Sequence, residues 1–212
     1  MKIVLFGATG NVGQRVLAEA LSRGHEVVGV VRDPSTTTSP DARVTLVQGD
    51  ATDAGSVANV THGADAVVSA ISPRANARGM AAPSLSEAAR ALITGLTQAG
   101  VKRLLVVGGA GSLEVAPGKA LVDQPDFPDV YKPEALASRD SLDVYRAETG
   151  GLDWTYLSPA AEIHPGRRSG AYRTSDSQLL GKSSITFEDY AVAVVDELEN
   201  PKHIRQRFGV AY

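Results

Sequence analysis

The apolar positions of this chain fall into two alternating rhythms. Short, nearly unbroken apolar runs recur at residues 2–6, 26–31, 43–48, 65–70, 103–107 and 152–157, each of the length and character of a strand buried on both faces. In the third run Val44, Leu46 and Val47 form the apolar core. Between the runs lie stretches with the period of an amphipathic helix. They cover 11–23 (apolar at Val12, Val16, Leu17, Ala20 and Leu21), 53–60, the alanine-rich 84–99, 133–149 and 187–199. Gly24 and Gly100 stand where helices end. Shorter apolar patches predict strands at 171–174 and 207–211. Strand–helix alternation at this spacing predicts one doubly wound α/β domain over residues 1–212, a parallel sheet with helices on both faces. Ligands on such sheets bind beyond the carboxyl ends of the strands. The rhythm breaks after the fifth and sixth strands, at 108–133 and 159–183, where glycine, proline and polar residues dominate. Stretches that long are rarely idle connections, so 111–132 and 159–183 are the expected substrate-side segments.

The first strand runs straight into Gly7-Ala8-Thr9-Gly10-Asn11-Val12-Gly13, and a helix opens behind it. A strand, a tight turn and a helix N-terminus in so few residues make a phosphate cradle. The first glycine permits the turn, the second lets a phosphate reach the backbone without meeting a Cβ, and the third lets helix and strand pack closely. The N–H groups and the positive end of the helix dipole face the anion. Residues Gly7, Thr9, Gly10, Asn11 and Val12 are therefore the expected pyrophosphate site; the alternative is a merely structural turn.

The end of the second strand selects between dinucleotides. An acidic residue there accepts from the adenosine 2′-hydroxyl and repels a 2′-phosphate. This chain has Val31-Arg32-Asp33-Pro34 followed by Ser35 and three threonines. Arg32, first after the strand, can stack on adenine and pair with the phosphate, which favours NADP over NAD. Asp33 argues the other way, and a solvated loop arginine is the plain alternative. Asp50, with Ala51 beside it at the end of the third strand, is placed to accept from the adenine amino group. Asp53 is placed as a helix N-cap. Small residues close the fourth strand at Ser69 and Ala70, where backbone can approach ribose and pyrophosphate. Gly108, Gly109 and Ala110 close the fifth, beside the expected nicotinamide. Small residues there also suit tight packing.

Composition narrows the chemistry. The chain of 212 residues has formal net charge −3 and no cysteine, which excludes disulfides, thiolate metal sites and a cysteine nucleophile. His25, His62, His164 and His203 are scattered without metal-ligand spacing, and no basic excess favours nucleic acid. The chain opens in a core strand, and no apolar run approaches membrane-spanning length. The expectation is a cytoplasmic monomer or weak homodimer, without metal, nucleic acid or membrane as partner.

The glycine-rich turn, the Gly49-Asp50 step, Val106-Val107-Gly108-Gly109-Ala110-Gly111, Asp153-Trp154-Thr155 before Ser158-Pro159, and Ile185-Thr186-Phe187-Glu188-Asp189-Tyr190-Ala191 together resemble an atypical short-chain dehydrogenase/reductase. Within that superfamily the chain is similar to the NmrA-like bacterial NADH–flavin reductase group, and more distantly to flavin reductase/biliverdin-IXβ reductase. The resemblance covers essentially the whole chain and implies a Rossmann-like domain that binds NAD(P). Typical members use Tyr-x-x-x-Lys, in which lysine lowers the tyrosine pKa for proton transfer. Here Tyr131, Tyr145 and Tyr156 are followed four residues later by Ala135, Thr149 and Ala160. Where the biliverdin-reducing relatives carry a histidine, this chain has Ser158-Pro159-Ala160-Ala161-Glu162. Reduction of a planar acceptor such as a flavin or quinone needs no dedicated acid, only two rings held in stacking geometry. Ser158, Pro159 and Ala160 are expected beside the nicotinamide. Ser112, Tyr131 and Glu162 are the candidate catalytic residues, with a turn serine, a packed lid aromatic and a solvated carboxylate as their plain alternatives. A non-catalytic NADP(H) sensor remains a second reading. A sugar-nucleotide epimerase or dehydratase is a third, disfavoured because such enzymes need the missing dyad.

Overall fold

In the computed structural model, which describes residues 1–39, 41–73, 83–148, 150–181 and 184–212, the apolar runs become the strands of one sheet. The N-terminal half gives β1 (Lys2–Phe6), α1 (Asn11–Ser22), β2 (Glu26–Val31), β3 (Thr45–Gln48), α2 (Ala54–Thr61), β4 (Ala66–Ser69), α3 (Leu85–Ala99) and β5 (Arg103–Val107). There follow β6 (Glu114–Ala116), β7 (Lys119–Ala120), α4 (Lys132–Arg146), β8 (Asp153–Ser158), β9 (Glu162–His164), β10 (Arg173–Ser175), β11 (Ser184–Thr186), α5 (Phe187–Glu199) and β12 (Gln206–Ala211). The main sheet has the order β10-β12-β8-β5-β4-β1-β2-β3. Its strands are parallel except for the edge pair β10–β12. The chain steps outward from β1 through β2 and β3, then returns to β1's other side with β4. That reversal opens the crevice at the carboxyl edge where doubly wound sheets bind ligands.

Alternation along each strand feeds two cores. Ile3 and Leu5 face α1 and α5, where Val16, Leu17, Tyr190, Val194 and Val195 are buried. Val4 and Phe6 face the other way, among Val57 of α2, Leu92 and Leu96 of α3, and Leu142 and Tyr145 of α4. A strand buried on both faces has no polar side, which is why these runs read as unbroken apolar segments. The helix ends follow their local chemistry. Asp53 accepts the Ser56 N–H at 2.5 Å and Ser84 that of Glu87 at 3.3 Å, while Gly100 closes α3 at φ +72°.

Boundaries shift by a few residues. The strand expected at 43–48 begins at Thr45, because Asp41 ties the Arg43 N–H and guanidinium into a turn. The helix expected over 133–149 spans Lys132–Arg146, and position 149 lies outside the described residues, as do 182 and 183 of the late polar segment. The sequence pattern misses two small pairs, antiparallel β6–β7 and parallel β9–β11. At two or three residues each, they are too short to show a period. Residues 166–172 are tied to α1 and α5. The Asp189 carboxylate, fully buried, accepts from the Ser169 N–H and Oγ, the Gly170 N–H and the Tyr212 hydroxyl at 2.6–2.8 Å. Arg168 meets Glu19 at 2.7 Å, and Tyr172 donates to Asp196 at 2.6 Å.

Candidate functional site

The three glycines after β1 answer to different constraints. Gly7 sits at φ +80°, and a Cβ there would lie 2.3 Å from the Ala70 carbonyl oxygen. A Cβ on Gly13 would stand 2.0 Å from the Gly7 carbonyl oxygen, so helix and turn touch backbone to backbone. Gly10 is different: among the described residues its Cβ would meet only the Gly7 oxygen, at 3.4 Å. It is exposed, caps α1 in extended conformation, and offers no side chain to the first helical turn, which also holds no acidic residue. The positive end of α1 is therefore open to an anion arriving over Gly10. Gln14 braces the turn by donating to the Thr9 carbonyl at 2.8 Å.

A cleft of about 910 Å³ lies over this turn. One end is bounded by Val30, Val31, Arg32, Asp33, residues 37–39 and residues 49–52, the middle by Gly7, Thr9, Gly10 and Gln14, and the other end by Ala70, Ile71, Ser72, Pro83, Ser84 and Glu87. The structure thus brings Gly7, Thr9, Gly10, Arg32, Asp50, Ala51 and Ala70 to one opening. A shallower hollow of about 680 Å³ also touches Arg32 and Asp50, which stand between the two. Asp50 accepts from the Thr52 N–H and hydroxyl at 2.8 and 2.7 Å through one oxygen. Asn11, Val12 and Ser69 do not line the cleft: Val12 packs on the α1–α5 core and Ser69 is buried. Gln14, Ser39, Thr52, Pro83, Ser84 and Glu87 were not legible as lining residues. Only Gln14, one helical turn beyond Gly10, carried a usable signal.

The second group of expected residues is more enclosed. A Cβ on Gly108 would stand 2.0 Å from the Tyr156 ring, and one on Gly109 3.0 Å from Ser138. Packing against β8 and α4 therefore accounts for both glycines. Ser158, Pro159 and Ala160 are buried, and the Ser158 Oγ has no hydrogen-bond partner among the described residues. Ser112 is half-buried, its carbonyl accepting from Arg207 at 2.9 Å. Tyr131 is 52% exposed at the start of α4, and Glu162 is exposed on β9. No described hydrogen bond or hollow joins Ser112, Tyr131 and Glu162. Pro133 and Glu134, just after Tyr131, border a hollow of about 270 Å³ that shares Pro83 and Ser84 with the main cleft. The interior tyrosines are poor acids: burial pushes the Tyr145, Tyr156 and Tyr190 phenols up. The Tyr156 and Tyr190 hydroxyls already donate to the Ser138 and Leu157 carbonyls. Among the described residues no group of three or more His, Asp or Glu side chains could hold a metal ion, and no helix is long and apolar enough to cross a membrane.

A family model described as NAD(P)H-binding matches residues 7–201, from the first glycine to just past α5. The chain belongs to this NAD(P)H-binding family. Solved structures agree over its whole length. It is 46% identical to a candidate exported protein from Burkholderia pseudomallei, with TM-score 0.89 and all of both chains covered. It is 40% identical to a candidate epimerase from Bacteroides thetaiotaomicron, with TM-score 0.87, all of this chain and 96% of that one. With a candidate NADH-flavin reductase from Streptococcus pneumoniae TIGR4 it shares 32% identity and TM-score 0.84, over all of this chain and 99% of that one. The fold is thus the Rossmann-like arrangement of an NAD(P)H-binding protein, of the atypical short-chain dehydrogenase/reductase kind that the motifs resemble. The NAD(P)H-binding description suits the donor set: an uncapped helix N-terminus for a pyrophosphate, a guanidinium and hydroxyls at one end of the cleft, and an open face at Gly10.

Proposed function

We propose that this protein is an NADPH-dependent reductase that passes hydride to a planar acceptor such as a flavin or quinone. The observation that carries the reading is the single cleft joining the glycine turn, the open end of α1 and Arg32 over the carboxyl edge of the sheet. In this reading the turn at Gly7, Thr9 and Gly10, with the backbone N–H groups that open α1 at residues 11 and 12, holds the pyrophosphate, and Arg32 the 2′-phosphate. Asp50 and Ala51 border the adenine, and Ala70, with the buried Ser69 behind it, lies by the ribose. Gly108, Gly109 and residues 158–161 flank the nicotinamide. Bound NADPH would supply the hydride, with the accompanying proton drawn from solvent. The chain's own part is to align two rings and keep the reacting faces together. The acceptor stacks beneath the 111–131 segment, which Tyr131 borders. A cytoplasmic setting, where NADPH is kept reduced, belongs to the same reading.

The dispersal of Ser112, Tyr131 and Glu162 favours one alternative, a non-catalytic NADP(H)-binding sensor of NmrA type. NADPH consumption measured with and without FMN, riboflavin and small quinones separates the two. The reductase reading expects turnover, with Tyr131→Phe slowing it less than about tenfold, because general acid catalysis is worth about 10²–10⁴. A loss of about a thousandfold would make Tyr131 an obligatory acid and overturn chemistry by alignment alone. Tight NADPH binding with no acceptor consumed would favour the sensor.

A further inference from the structure

Asp33 stands where a carboxylate accepts from an adenosine 2′-hydroxyl and repels a 2′-phosphate, so its presence beside Arg32 opposes NADPH. The local structure leaves that charge in place but draws the acceptor oxygens into its own loop. Pro34 opens a single 3₁₀ turn over Pro34–Thr36 with Asp33 as its N-cap. Asp33 Oδ1 accepts from the Ser35 N–H at 3.0 Å and the Ser35 Oγ at 2.6 Å, and Oδ2 accepts from the Thr36 Oγ1 at 3.0 Å. The Thr37 hydroxyl then donates to the Asp33 carbonyl at 2.7 Å. Both carboxylate oxygens are engaged inside the turn, and these bonds, the one from Ser35 foremost, hold the carboxyl below its usual range. Asp33 and Arg32 both border the cleft, with Thr37, Thr38 and Ser39 beside them. Three of the roughly four acceptor sites of the carboxylate are taken by its own turn, so turning to a ribose hydroxyl competes with bonds already made.

We propose that the Ser35 and Thr36 hydroxyls are specificity determinants: by holding the Asp33 carboxylate in its own turn they keep it from accepting a hydrogen bond from the ribose 2′-hydroxyl, and so weaken NADH binding relative to NADPH. The inference rests on the NADPH reading given above. It makes Asp33 a latent NADH determinant, silenced by two neighbouring side chains.

The test is titration of NADPH and NADH against wild type, Ser35→Ala/Thr36→Val, and the same double variant carrying Asp33→Asn. The Ser35 N–H bond survives in the double variant, so the turn is kept, and thermal melts check that each protein folds. The double variant should bind NADH about tenfold more tightly than wild type, the worth of one hydrogen bond to a charged group, and NADPH more weakly. Adding Asp33→Asn should abolish the NADH gain. A wild-type preference for NADPH left unchanged by the double substitution overturns this inference alone, as does an NADH gain that survives Asp33→Asn. Equal wild-type affinities for the two cofactors overturn the NADPH reading itself.

Discussion

Gly10 and Gly13 lie three residues apart in one turn, yet a side chain would strike different things at each. At Gly13 it meets the Gly7 backbone at 2.0 Å, and backbone cannot step aside. Gly13→Ala should therefore cost about 1–3 kcal/mol or more of stability in urea denaturation, the range for overpacking. At Gly10 it meets nothing closer than 3.4 Å. Gly10→Val should leave stability within about 1 kcal/mol, the scale of an N-cap preference, while NADPH affinity falls by more than about tenfold. Equal losses of stability would remove the distinction. The sequence spacing carried these roles, as it carried Asp53 as a cap, because each depends on neighbours within a few residues. Gly108 supports two readings in sequence for the opposite reason: the ring that demands a glycine there belongs to Tyr156, far along the chain.

At the scale of elements, the strands of the main sheet and helices α1 to α5 were legible because burial on two faces, or on one stripe, writes itself into the order of residues. Contacts made by the late polar segment were not. Asp189 reads as an ordinary acidic residue in the first turn of α5, but its partners Ser169, Gly170 and Tyr212 come from elsewhere in the sequence. Burial alone would raise its carboxyl. The bonds from Ser169, Tyr212 and Gly170 outweigh that and hold it below its usual range. Glu19 is lowered likewise, chiefly by Arg168. A lowered native pKa gives stability that is complete above the unfolded value and is lost as pH falls through the native one. Asp189→Asn should thus cost about 1.5–3 kcal/mol at neutral pH, the worth of hydrogen bonds to a charged group. The gap to wild type should close as pH is taken toward about 2. Urea denaturation across that range measures both, and a gap independent of pH would refute the anchoring charge.

For the whole molecule, the reversal of strand order at β1 and β4 sets the glycine turn, Arg32 and Asp50 along one edge. That much follows from strand–helix alternation and right-handed crossovers. The antiparallel direction of edge strand β10 and the dispersal of the three candidate catalytic side chains do not, since both arise from irregular segments. If the cleft binds NADPH, ligand at a hundred times its Kd should stabilise the fold by about 2.7 kcal/mol, raising Tm by roughly 5–10 °C for a chain of this size. Arg32→Ala should remove roughly 1.5–3 kcal/mol of NADPH binding and leave the NADH shift unchanged. Scanning calorimetry with each cofactor reads this directly, and equal losses for both would contradict the assignment of Arg32.

The packing of α1 against α5 also sets a timetable. The strands that frame the cleft are all present once β4 has been made, but the core that Val16, Leu17 and Ala20 share with β1 is completed by Ala191, Val194 and Val195 of α5. On a ribosome adding about 5–20 residues per second, roughly 10–30 s pass between synthesis of the two helices. During that interval the nascent chain carries a nearly finished nucleotide cradle on an uncovered oily back. Arrival of α5 is the step that closes that back.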